Sequence, residues 1–243
     1  TIFKKNLDLY YMNKTLIFTA TYNESKNIEK FIEEVFKASN EVDLLIIDDN
    51  SPDKTFEVIK SHNQIDKRLT LIKRQKKLGL DTAHKLAYEY AKKNRYEKLI
   101  TLDADLSHEP NEISKFINLL NQYDFVIGSR YIKGAKNNQP LLRYLISFFG
   151  NKLIKILLRS SLNEHTTSYR GFNLIKLRSF SLNLVKSSGY SFFMGTIHLL
   201  KLKNVSMCEI PIIFNDRIHG ISKIPKIEIF RTIFNLLKFI LIK

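Results

Sequence analysis

The first half of the chain alternates short, continuous apolar runs with segments of helical periodicity, and this alternation constrains the fold more than any other feature. Thr15–Ala20, Asp43–Ile47, Leu69–Lys73, Leu99–Leu102 and Phe125–Gly128 read as strands. Between them, Ser25–Ser39, Lys54–Ser61, Thr82–Lys93 and Asn111–Asn121 read as helices; in the first, Ile28, Phe31, Ile32, Val35 and Phe36 fall on one face. Strand–helix alternation at this spacing implies right-handed βαβ units and a mostly parallel sheet covered by helices. The strands are apolar throughout, as required when both sheet faces are buried. After Gly128 the pattern changes: Leu141–Arg159 and Ile224–Ile242 read as helices, and the region between them as small strands and loops. The expectation is one compact α/β domain with C-terminal additions, and 243 residues suffice for its core.

Several classes are excluded early. No uncharged apolar run reaches the ~18 residues of a membrane-spanning helix, so the chain is not expected to cross a bilayer unaided. The lone Cys208 rules out an internal disulfide framework and suits a reducing compartment. Thr1 is not an initiator methionine and residues 1–15 lack a signal-peptide pattern, so the start reads as trimmed or incomplete.

The net charge of +15 is unevenly placed. Residues 1–129 carry 20 basic and 20 acidic side chains, whereas 130–178 carry 10 basic against Glu164 alone. Residues 217–243 add six basic against Glu228 alone. A basic half implies an anionic partner, whether nucleic acid, phosphate ligand or acidic membrane, or else a solvated lysine-rich surface. Nucleic acid is disfavoured, because aromatics are not interleaved with the cations and no binding motif occurs.

In parallel α/β sheets ligands bind at the carboxyl ends of strands. Four polar clusters fall there: Thr21-Tyr22-Asn23-Glu24, Asp48-Asp49-Asn50-Ser51-Pro52-Asp53, Asp103-Ala104-Asp105-Leu106-Ser107-His108 and Gly128-Ser129-Arg130. Singly, each is also good turn or N-cap chemistry. Their convergence on one sheet edge points to a site. Asp103 and Asp105 at a strand end are expected on the same side, where two carboxylates repel unless a cation neutralises them. Hard oxygen ligands suit Mg²⁺ or Mn²⁺ with positions left for waters and substrate phosphates. The six histidines show no zinc spacing, and the P-loop and dinucleotide glycine fingerprints are absent.

Taken together the motifs resemble the polyprenyl-phosphate glycosyltransferases of glycosyltransferase family 2, within them the dolichol-phosphate mannose synthase group. The likeness runs collinearly over about residues 15–225. It continues through Leu78-Gly79-Leu80, Arg143…Ser147…Asn151, Thr167-Ser168-Tyr169-Arg170, Gly189-Tyr190, Glu209-Ile210-Pro211-Ile212 and Asp216-Arg217…Gly220…Ser222-Lys223. The resemblance implies a GT-A fold over 1–223, with 130–178 facing acceptor and membrane. It also implies metal-dependent, inverting transfer of a sugar from a nucleotide diphosphate to a polyprenyl or dolichyl phosphate, GDP-mannose being the expected donor. It assigns Ala20, Tyr22, Glu24, Ile47 and Asp49 to the base and ribose. Asp103, Ala104 and Asp105 would hold the diphosphate, with Asp105 and Ser107 at the Mg²⁺ or Mn²⁺. Arg130, Arg217 and Lys223 would bind phosphates, Asp105, Arg130 and Arg217 being the catalytic set, and Arg143 and Ser147 would receive the acceptor phosphate. The chemistry suits such a set. A diphosphate leaving group needs cationic stabilisation, and a phosphate nucleophile with its second pKa near ~6 needs no strong base.

The sequence departs from the family pattern at Ala20 (usually proline), Asp81 (usually glycine), His84 (usually aromatic) and Gly195 (usually an acid). In residues 224–243, Ile227, Phe230, Ile233, Phe234, Leu237, Ile240 and Leu241 form an apolar stripe opposite Glu228, Arg231, Asn235 and Lys238. That pattern, and a similar one over Tyr144–Leu158, reads as an interfacial helix or as a helix packed on the sheet. A peripheral position on the cytoplasmic face of a membrane, alone or with a membrane partner subunit, follows from a lipid-linked acceptor. Competing readings are a UDP-sugar donor, an inactive family member, and a basic membrane-adaptor or nucleic-acid-binding protein.

Overall fold

The computed structural model describes residues 14–62, 64–65, 67–216, 234–236 and 238–239. Its centre is a seven-stranded sheet in the order β3-β2-β1-β4-β7-β5-β8. The strands are β1 (Thr15–Thr21), β2 (Val42–Asp48), β3 (Leu69–Lys73), β4 (Lys98–Thr101), β5 (Phe125–Ser129), β7 (Arg170–Asn173) and β8 (Met207–Pro211). β6 (Lys136–Asn137) and β9 (Ile213–Phe214) pair in a separate two-stranded ribbon. All pairings in the main sheet are parallel except those of β7, which runs antiparallel between β4 and β5.

The helices are α1 (Ile28–Ala38), α2 (Thr55–Lys60), α3 (Leu80–Lys93), α4 (Ile113–Leu119), α5 (Leu141–Leu157) and α6 (Tyr190–Leu202). Alternate residues of β1 feed opposite cores. Leu16 and Phe18 join Ala83, Ala87 and Tyr88 of α3 and Phe192 and Phe193 of α6. Ile17 joins Phe31, Ile32 and Val35 of α1 and Phe116 of α4. Burial on both faces explains why these strands are apolar throughout rather than alternating.

The expected strands and helices of the first half are present, with ends displaced by at most three residues. Asn111–Asn121 divides into a 3-10 turn at Pro110–Glu112 and α4. The region after α5 departs from expectation, because it contains α6 where only strands and loops were read. Residues 191–198 of that helix are all buried. A helix enclosed on nearly all sides carries no polar stripe, so periodicity could not announce it. β7 was hidden for another reason: its sequence, Arg-Gly-Phe-Asn, is short and polar for a central strand. Gly171 is required there, since a Cβ would lie 2.9 Å from Leu120 Cδ1 and 3.1 Å from Phe116 Cδ1.

Three departures from the family pattern are accommodated by this core. His84 sits in an aromatic cage, 5.0 Å from Phe18 and 5.1 Å from Phe193 between ring centroids. Burial, followed by the charge of Arg170, lowers its pKa to about 3, so it packs as a neutral ring. Asp81 accepts the Gly189 amide and faces Lys85. At Gly195 a Cβ would stand 2.6 Å from Ser187 Oγ and 2.9 Å from Phe239 Cζ, so the position has no room for a side chain. The helix read over Ile224–Ile242 lies largely outside the described residues, apart from Leu236 and Phe239, which pack against Ile154, Leu158 and Met194.

Candidate active site

The sheet order fixes where a ligand can bind. The chain winds outward from β1 through β2 to β3, then returns to place β4 on the other side of β1. The carboxyl ends of β1 and β4 therefore flank a topological switch point, where α/β sheets open a crevice. The loops after β1, β2 and β4 each contain a non-glycine residue with positive φ: Asn23 (60°), Asn50 (59°) and Leu106 (60°). Asparagine accepts that conformation readily, whereas leucine does so at a cost of about 1 kcal/mol or more.

Leu106 shows what the strain achieves. It turns the chain so that the Ser107 amide and hydroxyl both donate to Asp105 Oδ1, at 3.1 and 2.6 Å. Asp105 is buried, while the Asp103 side chain is 37% exposed. β4 ends at Thr101, so Asp103-Ala104-Asp105 is a turn rather than strand. This corrects the strand-alternation argument: the two carboxylates differ in burial instead of sharing one strand face. Ser107, which the resemblance places at the metal, gives its hydroxyl proton to Asp105 and so orients that carboxylate, while the oxygen's lone pairs are not used by this bond.

His108 supports the same turn from beneath. The Asp103 amide donates to His108 Nδ1 at 3.3 Å, so that nitrogen carries the lone pair and Nε2–H points to Thr167 Oγ1 at 3.0 Å. Burial keeps the ring neutral, against the opposing pull of Asp103 and Asp105. Among the described residues no group of three or more His, Cys, Asp or Glu forms a metal cage. The residues that could hold a Mg²⁺- or Mn²⁺-like cation are Asp103 and Asp105, whose hard oxygens would leave waters or substrate phosphates as its other ligands.

On the β1–β2 side, Ala20 pairs with Ile47 and Thr21 with Asp48 in the ladder. Asp48 is fully buried and accepts Thr21 Oγ1, the Ser51 amide and Ser51 Oγ. Asp49 is ion-paired with buried Arg74 and accepts the Gly79 amide at 3.1 Å. Tyr22 presents its ring to Lys77 Nζ, 3.9 Å from the centroid. Glu24 accepts from Asn27, and its amide donates to Thr55 Oγ1. Burial raises the pKa of Asp53, but hydrogen bonds from Thr55 and Ser25 more than offset that and leave it lowered. The predicted base-side residues thus stand together at two adjacent strand ends. Arg74 was not foreseen; its only signal was a cation at the end of the third strand.

On the other side Arg130 follows β5. Its Nε and Nη2 make a bidentate pair with Glu164 at 2.8 and 3.0 Å, and Nη2 also reaches Thr166 Oγ1. Glu164 is fully buried and also accepts the amides of His165, Thr166 and Thr167. Burial alone would raise its pKa, yet Arg130 and these donors bring it to about 2. Arg130 was expected as a phosphate ligand, but most of its donor edge is committed to protein. Glu164 was missed as a functional residue, although a single acid in a stretch of ten cations was a legible signal.

Ser147 lies on α5, bonded to Tyr131 Oη at 2.5 Å. Asn151, one turn on, donates to Ser147 O and Thr166 Oγ1 and accepts the His165 amide. Arg143 is half-exposed and 3.4 Å from Asp216. Arg217 and Lys223 lie outside the described residues. Arg170 is buried and donates to the carbonyls of Thr167, His165 and Phe193, a structural role. The 164–167 loop is thus the junction of the site: it binds Arg130, anchors α5, and through Thr167 and His108 reaches the Asp103 turn.

Comparison with known proteins agrees with this architecture. Residues 16–182 match the model of "Glycosyl transferase family 2". The chain is 32% identical over 213 residues to polyprenol monophosphomannose synthase of Mycolicibacterium smegmatis, covering 86% of this chain and 80% of that one. It is 30% identical over 211 residues to undecaprenyl-phosphate mannosyltransferase of Micrococcus luteus, covering 86% and 87%. Among solved structures, glucosyl-3-phosphoglycerate synthase of Mycobacterium tuberculosis, crystallised with Mn²⁺, UDP and its product, superposes with a TM-score of 0.67 at 14% identity, over 94% of this chain and 80% of that one. The mostly parallel sheet is therefore the GT-A arrangement seen in that enzyme. The match over most of the chain and the two relatives establish that this protein is a glycosyltransferase belonging to glycosyl transferase family 2.

Proposed function

We propose that the protein transfers mannose from GDP-mannose to a polyprenyl or dolichyl phosphate, with inversion and with a divalent cation, Mg²⁺ or Mn²⁺. The observation that carries this reading is a pair of carboxylates at the sheet's switch point in the same domain as a helix with an exposed apolar face. Leu142, Ile146, Phe149, Leu153 and Ile156 of α5 are all more than half exposed and recur at four- and three-residue steps. The strand-end carboxylates thus suit a nucleotide sugar and the exposed face of α5 a lipid. The names of the two relatives select mannose and a polyprenyl phosphate.

Asp103 and Asp105 would hold the cation, with Ser107 and His108 fixing the turn. When bound, the cation would supply electrophilic stabilisation of the departing diphosphate. Tyr22 offers an aromatic surface to the base, and Asp49, braced by Arg74, its hydrogen-bond acceptors. Arg130, with Nη1 still available beyond the Glu164 pair, and Arg217 and Lys223 would neutralise phosphate charge. Ser147 and Arg143 would receive the acceptor phosphate, whose ionised oxygen attacks directly, so no side chain need act as a strong base. The catalytic domain would span 1–223 and an interfacial helix 224–243. None of the helices among the described residues is long and apolar enough to cross a membrane. Peripheral attachment at the cytoplasmic face, alone or with a membrane partner subunit, completes the proposal.

The test supplies purified protein, Mg²⁺ or Mn²⁺ and a polyprenyl phosphate with radiolabelled GDP-mannose or UDP-glucose in separate reactions. Label should enter the lipid from GDP-mannose. Entry from UDP-glucose alone would overturn the donor assignment.

A further inference from the structure

Beside α5 lies a cleft of about 540 Å³ that shares no lining residue with the strand-end carboxylates. Its walls include the rings of Tyr131 and Phe148 and the side chain of Ile156, and its cations are Lys152, Lys155 and Arg159. No acid lines it. Among the described residues none of the three cations has a carboxylate partner; Lys155 donates only to the Asn163 amide oxygen at 2.7 Å.

Arg159 stands at the helix end. Helix α5 ends in a Schellman turn: the Arg159 amide bonds Ile156 O and the Ser160 amide bonds Lys155 O. The residue at the centre of such a turn takes a left-handed conformation, a position usually filled by glycine. Here it is Arg159, at φ 47°. Arg95 fills the same turn position after α3, at φ 59°, so it is the side chain's place in the cleft, and not the conformation, that bears on a ligand. The negative end of the helix would repel an anion, but Lys201 Nζ covers it by donating to Leu158 O and Arg159 O, both at 2.7 Å.

We propose that this cleft binds the phosphate headgroup of an anionic bilayer phospholipid, separate from the acceptor, and so seats the enzyme on charged membrane. Three cations and no acid select a phosphate. Ile156 belongs both to the cleft and to the exposed apolar face of α5, so the acyl chains of such a lipid would leave the cleft along the face read above as membrane-facing. The proposal rests on that reading of the membrane face, but not on the identity of the sugar.

A soluble short-chain lipid tests the site without the field of a charged surface. Dihexanoyl phosphatidylglycerol below its micellar concentration is titrated calorimetrically into the intact protein, with dihexanoyl phosphatidylcholine as the zwitterionic comparison and no sugar donor present. The expected result is one-to-one binding of the anionic lipid only, weakened about fivefold or more by K152Q and by R159G. Because R159G also relieves the left-handed strain, its melting temperature should rise while its lipid affinity falls. Equal binding of both lipids, no binding, or binding unchanged in both variants would overturn the proposal. So would a raised KM for a short-chain polyprenyl phosphate in R159G, which would assign the cleft to the acceptor. No lipid binding by the unaltered protein while it still transfers from GDP-mannose would sink this site alone, and lipid binding without GDP-mannose transfer would sink only the proposed donor chemistry.

Discussion

Glu164 grips Arg130 through two parallel hydrogen bonds, and the same carboxylate collects the backbone amides of residues 165, 166 and 167. A buried pair of this kind contributes little relative to an apolar replacement but is costly to half-remove. It also joins β5, α5 and the Asp103 turn at one point.

Removing the acid should therefore destabilise the protein. Glu164→Ala leaves Arg130 buried without a counter-charge, with an expected loss of about 3–5 kcal/mol in chemical denaturation. The pH dependence has a definite sign. The folded carboxyl titrates near 2, below its ordinary 4.5, so the stabilisation is complete above about 4.5 and is lost as pH falls toward 2. The gap between wild type and Glu164→Gln should close over that interval; a gap constant with pH would remove the ion pair as its cause.

His84 predicts the opposite chemistry in another pH window. Its folded pKa of about 3 lies below the ordinary 6.5, so the unfolded chain binds the extra proton. Stability should then fall as pH drops below 6.5, by about 2 kcal/mol at pH 5 from this residue alone. His84→Phe keeps the aromatic cage and removes the titration. The variant should match wild type near pH 7.5 and exceed it at pH 5 in thermal denaturation.

The Asp105 turn separates ligand from support. Asp105→Asn preserves the shape of the turn but removes its charge, and transfer should fall by at least about a hundredfold. Ser107→Ala leaves the carboxylate and loosens its orientation. It should raise the Mn²⁺ concentration for half-maximal activity by about 10–100-fold, with kcat at saturating metal largely retained. Direct Mn²⁺ binding followed by electron paramagnetic resonance should show the same shift, and equal metal affinity in wild type and Ser107→Ala would dismiss the positioning role.

How much of this was legible beforehand depends on where information resides in the chain. The βαβ half announced itself because each strand is a short apolar run and each helix, such as α1 with Ile28, Phe31, Ile32 and Val35, buries a single stripe. α6 was silent because residues buried on all sides leave no periodicity to read. The positions of Asp103, Asp105 and Asp49 followed from strand order. Their partners did not: Arg74, Thr167 and Glu164 reach the site through contacts between residues distant in sequence. The expectation for Arg130 was incomplete for the same reason, since only the fold reveals that Glu164 occupies its donor edge.

The exposed seam of α5 predicts a membrane contact that stability does not report. Leu142, Ile146 and Phe149 are 71%, 63% and 59% exposed, so replacing all three with serine should change the melting temperature by little. Partition onto vesicles of mixed neutral and anionic phospholipid should nevertheless fall at least tenfold, because each apolar side chain contributes when it enters the headgroup boundary. Unaltered vesicle binding would transfer the membrane contact to another surface.

Gly195 offers the sharpest contrast between family pattern and structure. The usual acid is absent, and the helix uses the vacant Cβ position to pack against Ser187, Val185 and Phe239. Phe239 also stacks on His198, at 5.3 Å and 25°. Gly195→Ala gains helix propensity of about 1 kcal/mol yet must displace a hydroxyl and an aromatic ring, for which overpacking costs of about 1–3 kcal/mol are typical. The net change should be destabilising, and Gly195→Glu more so, because it also buries a charge. If the missing acid had weakened a functional enzyme, Gly195→Glu would instead raise transfer at unchanged stability. Parallel measurement of melting temperature and transfer rate in the two variants distinguishes these outcomes: loss of both supports glycine as the residue this core requires.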